Sequence, residues 1–316
     1  MTTGSSQVVK PIASSAPRGS FFSAVSPSFL FSILALISLA LWWRALASTF
    51  DLALHDDQFT HIFLILPISA ALIFLDWKSA KPGSIRHAKV FPSLLLSAVL
   101  ANSIVRWIAV SLSYDVQLSL SMLALVAFWI ASFGLCFGDG PSRRALFPLF
   151  FLLGMVPFPD FLLSPIVAGL QRGSAAAAHL LFAAARVPVA QRGVLLHIPG
   201  LTLEVARECS SMRSSAILVV TTMVLAHLLL HSPWRKALII AVAIPLSIAK
   251  NGLRIFVIAM LATRVDRSFL TGRLHRQGGI IFLLIALAAI LLLIWILRKG
   301  EEEAAKRRAQ NPQSLP

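Results

Sequence analysis

Cys209 stands in "LEVARECSSMRSSAILVV" (203–220), with Glu204, Arg207 and Glu208 upstream, Arg213 four residues on, and a long apolar run following. A thiol at a helix N-terminus beside guanidinium groups is favoured as the thiolate, the form that attacks carbonyl carbon. Arg213 shares the helix face of Cys209 and adds positive charge, whereas the two glutamates oppose it unless they pair with cations. A second polar group interrupts "PLSIAKNGLRIFVIAM" (245–260): Lys250, Asn251 and Arg254, of which Asn251 and Arg254 follow Ser247 at i+4 and i+7 and share its helix face. An arginine inside a span costs about 2.5–3.5 kcal/mol on insertion scales and is retained for function, while Lys250 is expected to snorkel to the headgroups. A third, "TGRLHRQGG" (271–279), puts His275 between basic residues just before the last apolar run. Taken singly, a lone cysteine is most often a small buried apolar residue, and a flanking histidine an interfacial one. Taken together they make a thiol nucleophile, an imidazole for proton transfer and a guanidinium for an oxyanion.

The elements that position these groups must lie in a bilayer. Of 316 residues, 57% are hydrophobic and only 13% charged, with mean hydropathy +0.82. Soluble domains carry about 25% charged residues, so this chain lacks the means to cover a soluble surface. The net charge of +15 sits in short loops, at helix mouths and in the C-terminal tail, as suits membrane orientation and anionic headgroups, and no nucleic-acid-reading module is visible. Two cysteines, Cys136 and Cys209, fall on opposite sides of the expected topology and exclude a disulfide framework.

Apolar runs of spanning length predict an all-α, polytopic helix bundle of eight spans near 28–50, 59–77, 90–112, 117–138, 145–159, 207–231, 237–263 and 277–298. Residues 1–27 read as a disordered, Ser/Pro-rich cytoplasmic leader with no cleavable signal, 28–298 as one transmembrane domain, and 299–316 as a basic cytoplasmic tail. Basic loops at 76–89, 139–144 and 232–236 read as cytoplasmic, and the acidic or neutral loops 51–58 and 114–117 as external, which puts both termini inside. Segment 160–186 reads as an interfacial or re-entrant helix, and "GVLLHIPGLTLEVA" (193–206) as a short β-hairpin before the sixth span. Arg106, a second intramembrane arginine, is expected to pair with Asp115. His227 and His231 have the spacing of a metal pair but no third ligand, and neither a metal site nor a cofactor is expected.

"LEVARECSSMRSS", "PLSIAKNGLRI" and "LHRQGGIIF", in this order at the ends of the last three helices, resemble the exosortase/archaeosortase membrane transpeptidases. "HDDQFTHIFLILPISAALIFLDW" (55–77) is similar to the family's early Ser/Thr-His motif, and "LFPLFFLLGMVPFPDFLLSPI" (146–166) to its proline-marked fifth helix; the likeness covers about residues 30–298. It implies Cys209, Arg254 and His275 as catalytic residues, with Glu208, Arg213 and Asn251 around the substrate. The implied substrate is an exported protein with a C-terminal sorting signal of short motif (Pro-Glu-Pro type), transmembrane helix and basic tail. It is cleaved through a thioester on the extracytoplasmic face of a bacterial inner membrane and transferred to an envelope or exopolysaccharide-linked acceptor. The family's Glu-x-Cys-Ser-Gly-like core here reads Glu208-Cys209-Ser210-Ser211, without the spacer and with serine where glycine is common. Two other classes fit the same composition: a non-catalytic subunit of a polysaccharide export system, which needs no reactive thiol, and a membrane acyltransferase, which loads an acyl chain on Cys209.

Overall fold

The computed structural model describes residues 26–78, 90–205, 212–270 and 279–310. Among the described residues are ten α-helices and a small sheet: α1 (Pro27–His55), α2 (Ile62–Lys78), α3 (Val90–Trp107), α4 (Tyr114–Phe137), α5 (Asp139–Arg144), α6 (Leu146–Phe151), α7 (Asp160–Ala184), β1 (Ala190–Arg192), β2 (Leu195–Ile198), β3 (Leu201–Glu204), α8 (Met212–Leu229), α9 (Pro233–Arg264) and α10 (Gly279–Gln310). Among the described residues seven helices are long and apolar enough to cross a membrane: α1 to α4 and α8 to α10. Their ends follow local rules. Ser26 accepts from the Phe29 N–H ahead of Pro27, and α4 stops at Gly138, whose φ of 79° suits a residue without Cβ.

The first half is a bundle around α4. Phe31 meets Phe133 at 6.0 Å between ring centroids and Trp42 meets Phe128 at 5.4 Å, so α1 and α4 run antiparallel. With α3 and α6 they enclose a core of Trp42, Met122, Leu125, Phe128 and Met155. The end where α1 and α3 finish and α4, α8 and α10 begin is called the upper end below.

The fifth expected span crosses the bundle without being a continuous helix. α6 and a 3-10 turn (Leu152–Met155) are followed by non-helical Val156–Pro159, and α7 departs at 93°. The ascent is anchored by Ser69, which donates to the Pro148 carbonyl, and by Ser119, whose Oγ lies 2.7 Å from the Pro157 carbonyl. At the top, the Asp115 carboxylate accepts from the Asp160 N–H, where it meets the positive end of α7. Asp115 therefore serves a helix start and is not the partner of Arg106, whose guanidinium donates to the Leu41 carbonyl instead.

The second half is built on α9. Leu218, Ala226, Ile239, Ala243, Ala286 and Ile290 pack α8, α9 and α10 together. At 32 residues α9 is about 48 Å long, well beyond a hydrocarbon core of about 30 Å. Ser247 and Lys250 are level with Ser215 and Ser214 at the start of α8, so the last 14 residues of α9 rise about 21 Å beyond it. That projecting part carries its own small core of Ala178, Phe182, Leu196, Ile198, Val205 and Ala259, shared with α7 and the sheet. The expected hairpin is present as β2–β3, turned at Pro199-Gly200 (Gly200 φ 80°), and β1 pairs on its other side through Gly193 (φ 62°), giving a three-stranded antiparallel sheet.

Candidate active site

Polar side chains converge where α7, α8 and α10 meet the middle of α9. Ser247, 1% exposed, donates to Ser215 Oγ, and Lys250, 5% exposed, donates from Nζ to Ser214 Oγ. Asn251, 1% exposed, donates from Nδ2 to Ser174 Oγ at 2.9 Å on α7. Next to it, Gly252 lets α7 approach so closely that a Cβ would lie 2.5 Å from Ala177 Cβ and 3.0 Å from the Ala178 nitrogen. One turn higher, half-buried Arg254 has Nη1 3.9 Å from the position a Gly279 Cβ would take, at the first residue of α10. The expected single face is thus divided among three neighbours: Ser247 meets α8, Asn251 meets α7, and Arg254 stands beside the start of α10.

Two expectations are corrected here. Lys250 does not snorkel: its ammonium is buried against Ser214, because α8 begins at that level and covers it. Arg213 lies at the start of α8, but its guanidinium forms a 2.8 Å ion pair with Asp57, in the 3-10 turn Asp57–Phe59 after α1, with both side chains exposed. Its charge is therefore shared with a carboxylate that sequence reasoning had not connected to it.

Cys209, Glu208 and His275 lie outside the described residues. The residues flanking them are fixed. Val205 is buried, its N–H bonded to the Val194 carbonyl and its own carbonyl accepting from Gln171 Nε2. Met212 packs on the cluster of Ala53, Phe59, Ile62, Leu163 and Val167. After α9, the Asp266 carboxylate caps the turn Arg267–Leu270, and the Ser268 N–H that it accepts holds its pKa below the usual carboxylate value.

Several polar residues at this level escaped sequence reasoning. Ser174, Ser214 and Ser215 sit in runs of small residues that read as helix packing, and only the approach of α9 turns them into partners. His179 lies on the α7 face of Ala175, Ala178 and Phe182; its Nδ1 is buried without a hydrogen-bond partner among the described residues. His61, the histidine of the early motif, is half-buried at the approach to α2, its Nδ1 on the Gln58 carbonyl at 3.2 Å. Away from the site, His227 stacks on Phe147 at 4.0 Å, His231 lies 3.5 Å from Glu301, and Cys136 is a buried free thiol.

The fold and this polar convergence define a polytopic membrane protein whose last three spans bring together a buried lysine and asparagine and a half-buried arginine. The model of the transmembrane exosortase family matches residues 42–293, and the chain belongs to that family. Membership makes it, in general terms, a membrane transpeptidase. No curated protein and no solved structure matches the chain significantly.

Proposed function

We propose that this exosortase is a cysteine protease-transpeptidase that cleaves C-terminal sorting signals from exported proteins and passes them to an envelope or glycan-linked acceptor. The position of Arg254 carries the reading. It stands level with the helix ends that directly follow the two chemistry-bearing segments: Met212 is three residues after Cys209, and Gly279 is four after His275.

In this mechanism the Cys209 thiolate attacks the carbonyl carbon of the scissile peptide, and the carbonyl electron pair moves onto oxygen. Arg254 and backbone N–H groups at the start of α8 stabilise that oxyanion, aided by the Lys250 ammonium one turn away. Collapse of the intermediate expels the amine, which takes a proton from His275 and leaves with the signal's transmembrane helix. The acceptor nucleophile then attacks the thioester carbonyl and gives its proton to His275, and the C–S bond breaks to release the Cys209 thiolate. Asn251 keeps α7 against α9 and so fixes the wall of the site, and Glu208 orients basic groups beside the thiol.

Two features support this substrate class. An apolar cleft of about 560 Å³ between α7, α9 and α10, lined by residues such as Leu180, Leu246, Phe282, Ile285 and Ala289 together with Lys250, offers side chains of a lipid-embedded helix a place to pack. The basic loops 76–89, 139–144 and 232–236 favour an orientation with both termini cytoplasmic and the site on the far side. The test is co-expression of a substrate bearing motif, helix and basic tail with wild type or Cys209→Ala, followed by mass analysis of its C-terminus. Wild type is expected to remove the helix and Cys209→Ala to leave it; equal processing by both sinks the mechanism.

A further inference from the structure

We propose that the cavity between α1, α3 and α4 near the upper end is a binding site for the phosphate of an anionic membrane lipid. It encloses about 910 Å³, within the range of small-molecule pockets, and its walls include Arg44, Arg106, Trp43, Asn102, Tyr114 and Gln117.

The charge balance is the main argument. Both arginines belong to membrane-spanning helices, Arg44 eleven residues before the end of α1 and Arg106 in the last turn of α3. No residue lining the cavity is acidic, and none of the ion pairs among the described residues includes either arginine. Both arginines are exposed at the level of the aromatic rim, and two guanidinium groups lining one cavity without a carboxylate repel each other unless an anion joins them. Arg106 does not extend freely toward water: it reaches across to the Leu41 carbonyl of α1, which holds its fork at the cavity wall. The Arg44 guanidinium carbon lies 5.6 Å from the Trp43 ring centroid.

Asn102 supplies an independent observation. It is 5% exposed, lines the cavity, and its amide has no hydrogen-bond partner among the described residues. Its amide is open to the cavity, and a phosphate oxygen or its ester would accept from the Nδ2 hydrogens. Gln117, by contrast, is already spent on the carbonyls of Ala109 and Leu112.

The surroundings select a lipid over a free anion. Trp43 is 58% exposed, Tyr114 66% and Trp107 84%, an aromatic rim of the kind found at headgroup depth. Below it, exposed Leu36, Leu39, Leu100 and Ile104 on α1 and α3 give apolar surface for acyl or prenyl chains. A phosphate forked by two arginines would sit with its tails along these faces. Because the cavity lies apart from α9, the inference does not rest on the transpeptidase reading.

The test uses the full-length protein in phosphatidylcholine nanodiscs, with tryptophan quenching by brominated phosphatidylglycerol as the readout. Saturable quenching is expected for phosphatidylglycerol and not for brominated phosphatidylcholine; no preference in wild type overturns the proposal without any variant. Arg44→Gln and Arg106→Gln are each expected to weaken binding at least about tenfold, and Asn102→Ala by a few-fold. Arg44→Lys should bind more weakly than wild type and better than Arg44→Gln, since charge is kept and the fork lost. Undiminished binding by the folded glutamine variants refutes the site. Titration with inorganic phosphate separates the sources: quenching that persists confirms a lipid, whereas displacement by phosphate at equal concentration overturns the lipid assignment in favour of a free phosphate.

Discussion

Gly252 offers the sharpest test of how the site is held. A methyl group there would lie 2.5 Å from Ala177 Cβ, 3.1 Å from the Ala177 carbonyl carbon and 3.0 Å from the Ala178 nitrogen. Carbon atoms pack at about 3.5–4.0 Å, so Gly252→Ala must push α7 and α9 apart by about 1 Å. Two of the three neighbours are backbone atoms, which no rotamer change can move aside. Overpacking of this kind costs about 1–3 kcal/mol. Against it stands the better helix propensity of alanine, about 1 kcal/mol in water, and less here because a membrane-denatured chain keeps much of its helix. The clash wins, and Gly252→Ala should lose about 1–2 kcal/mol.

Gly169 on α7 provides the control, because a Cβ there meets nothing within 4 Å. Gly169→Ala should be neutral or stabilising by up to about 0.5–1 kcal/mol, so one substitution type gives opposite signs at two places. Unfolding in micelles followed by tryptophan fluorescence measures both. Asn251 and Arg254 ride on the same turn as Gly252, so a shift of about 1 Å should lower substrate processing by about a hundredfold. The double variant Gly252→Ala/Ala177→Gly should recover part of each loss, since the Ala177 methyl is gone but the Ala178 nitrogen remains. Equal effects at Gly252 and Gly169, or strict additivity in the double variant, would refute the claim that close α7–α9 packing sets the site.

Three further outcomes are expected. Lys250→Met removes a buried charge whose described hydrogen-bond partner is a neutral hydroxyl, so thermal stability should stay or rise by about 1–3 kcal/mol while processing falls; a loss of several kcal/mol would make Lys250 one half of a buried ion pair. Asp57→Asn breaks an exposed pair and should cost less than about 1 kcal/mol, a difference that shrinks in high salt; a larger, salt-independent loss would show that the pair anchors the start of α8. His179→Asn should leave processing within about threefold, whereas His275→Ala should reduce it about 10²–10⁴-fold; the reverse would transfer the proton-carrying role to α7.

The spans were legible because a run of about 20 apolar residues has few other fates, and α1, α3, α4 and α8 to α10 lie close to where hydropathy puts them. What hydropathy does not encode is how far a helix continues past the bilayer. The expected span 237–263 covers all of α9 but its first four residues and its last, yet it says nothing of the upper turns leaving the bilayer to pack on Phe182 and Leu196 in a cap with the sheet. The same limit explains the fifth crossing, where the expected span ends at 159 and hydropathy does not encode the 93° turn into α7. At the site, Arg254 and Asn251 were conspicuous because charge and amide inside an apolar run are rare. Ser174, Ser214 and Ser215 were not, because serine in a run of small residues is equally a packing residue. Only the partner distinguishes the two cases, and the partner lies 32 to 77 residues away along the chain.

The division of labour along α9 also explains why the site sits where it does. Below Ser247 the helix is surrounded by α8 and α10 through aliphatic contacts that any apolar side chain could fill. Above Arg254 it is wrapped by α7 and the sheet, again mostly through apolar groups. Only in the two turns between does it lose one set of neighbours before gaining the next, because α8 and α10 both begin there. Helix starts leave N–H groups without intrahelical acceptors, and polar side chains are tolerated where such groups and hydroxyls can partner them. The buried Lys250 and Asn251 and the half-buried Arg254 therefore occupy a stretch of α9 at which the described residues supply hydroxyl partners and open helix ends. A substrate whose scissile bond lies just beyond its own transmembrane helix would present that bond at this same height.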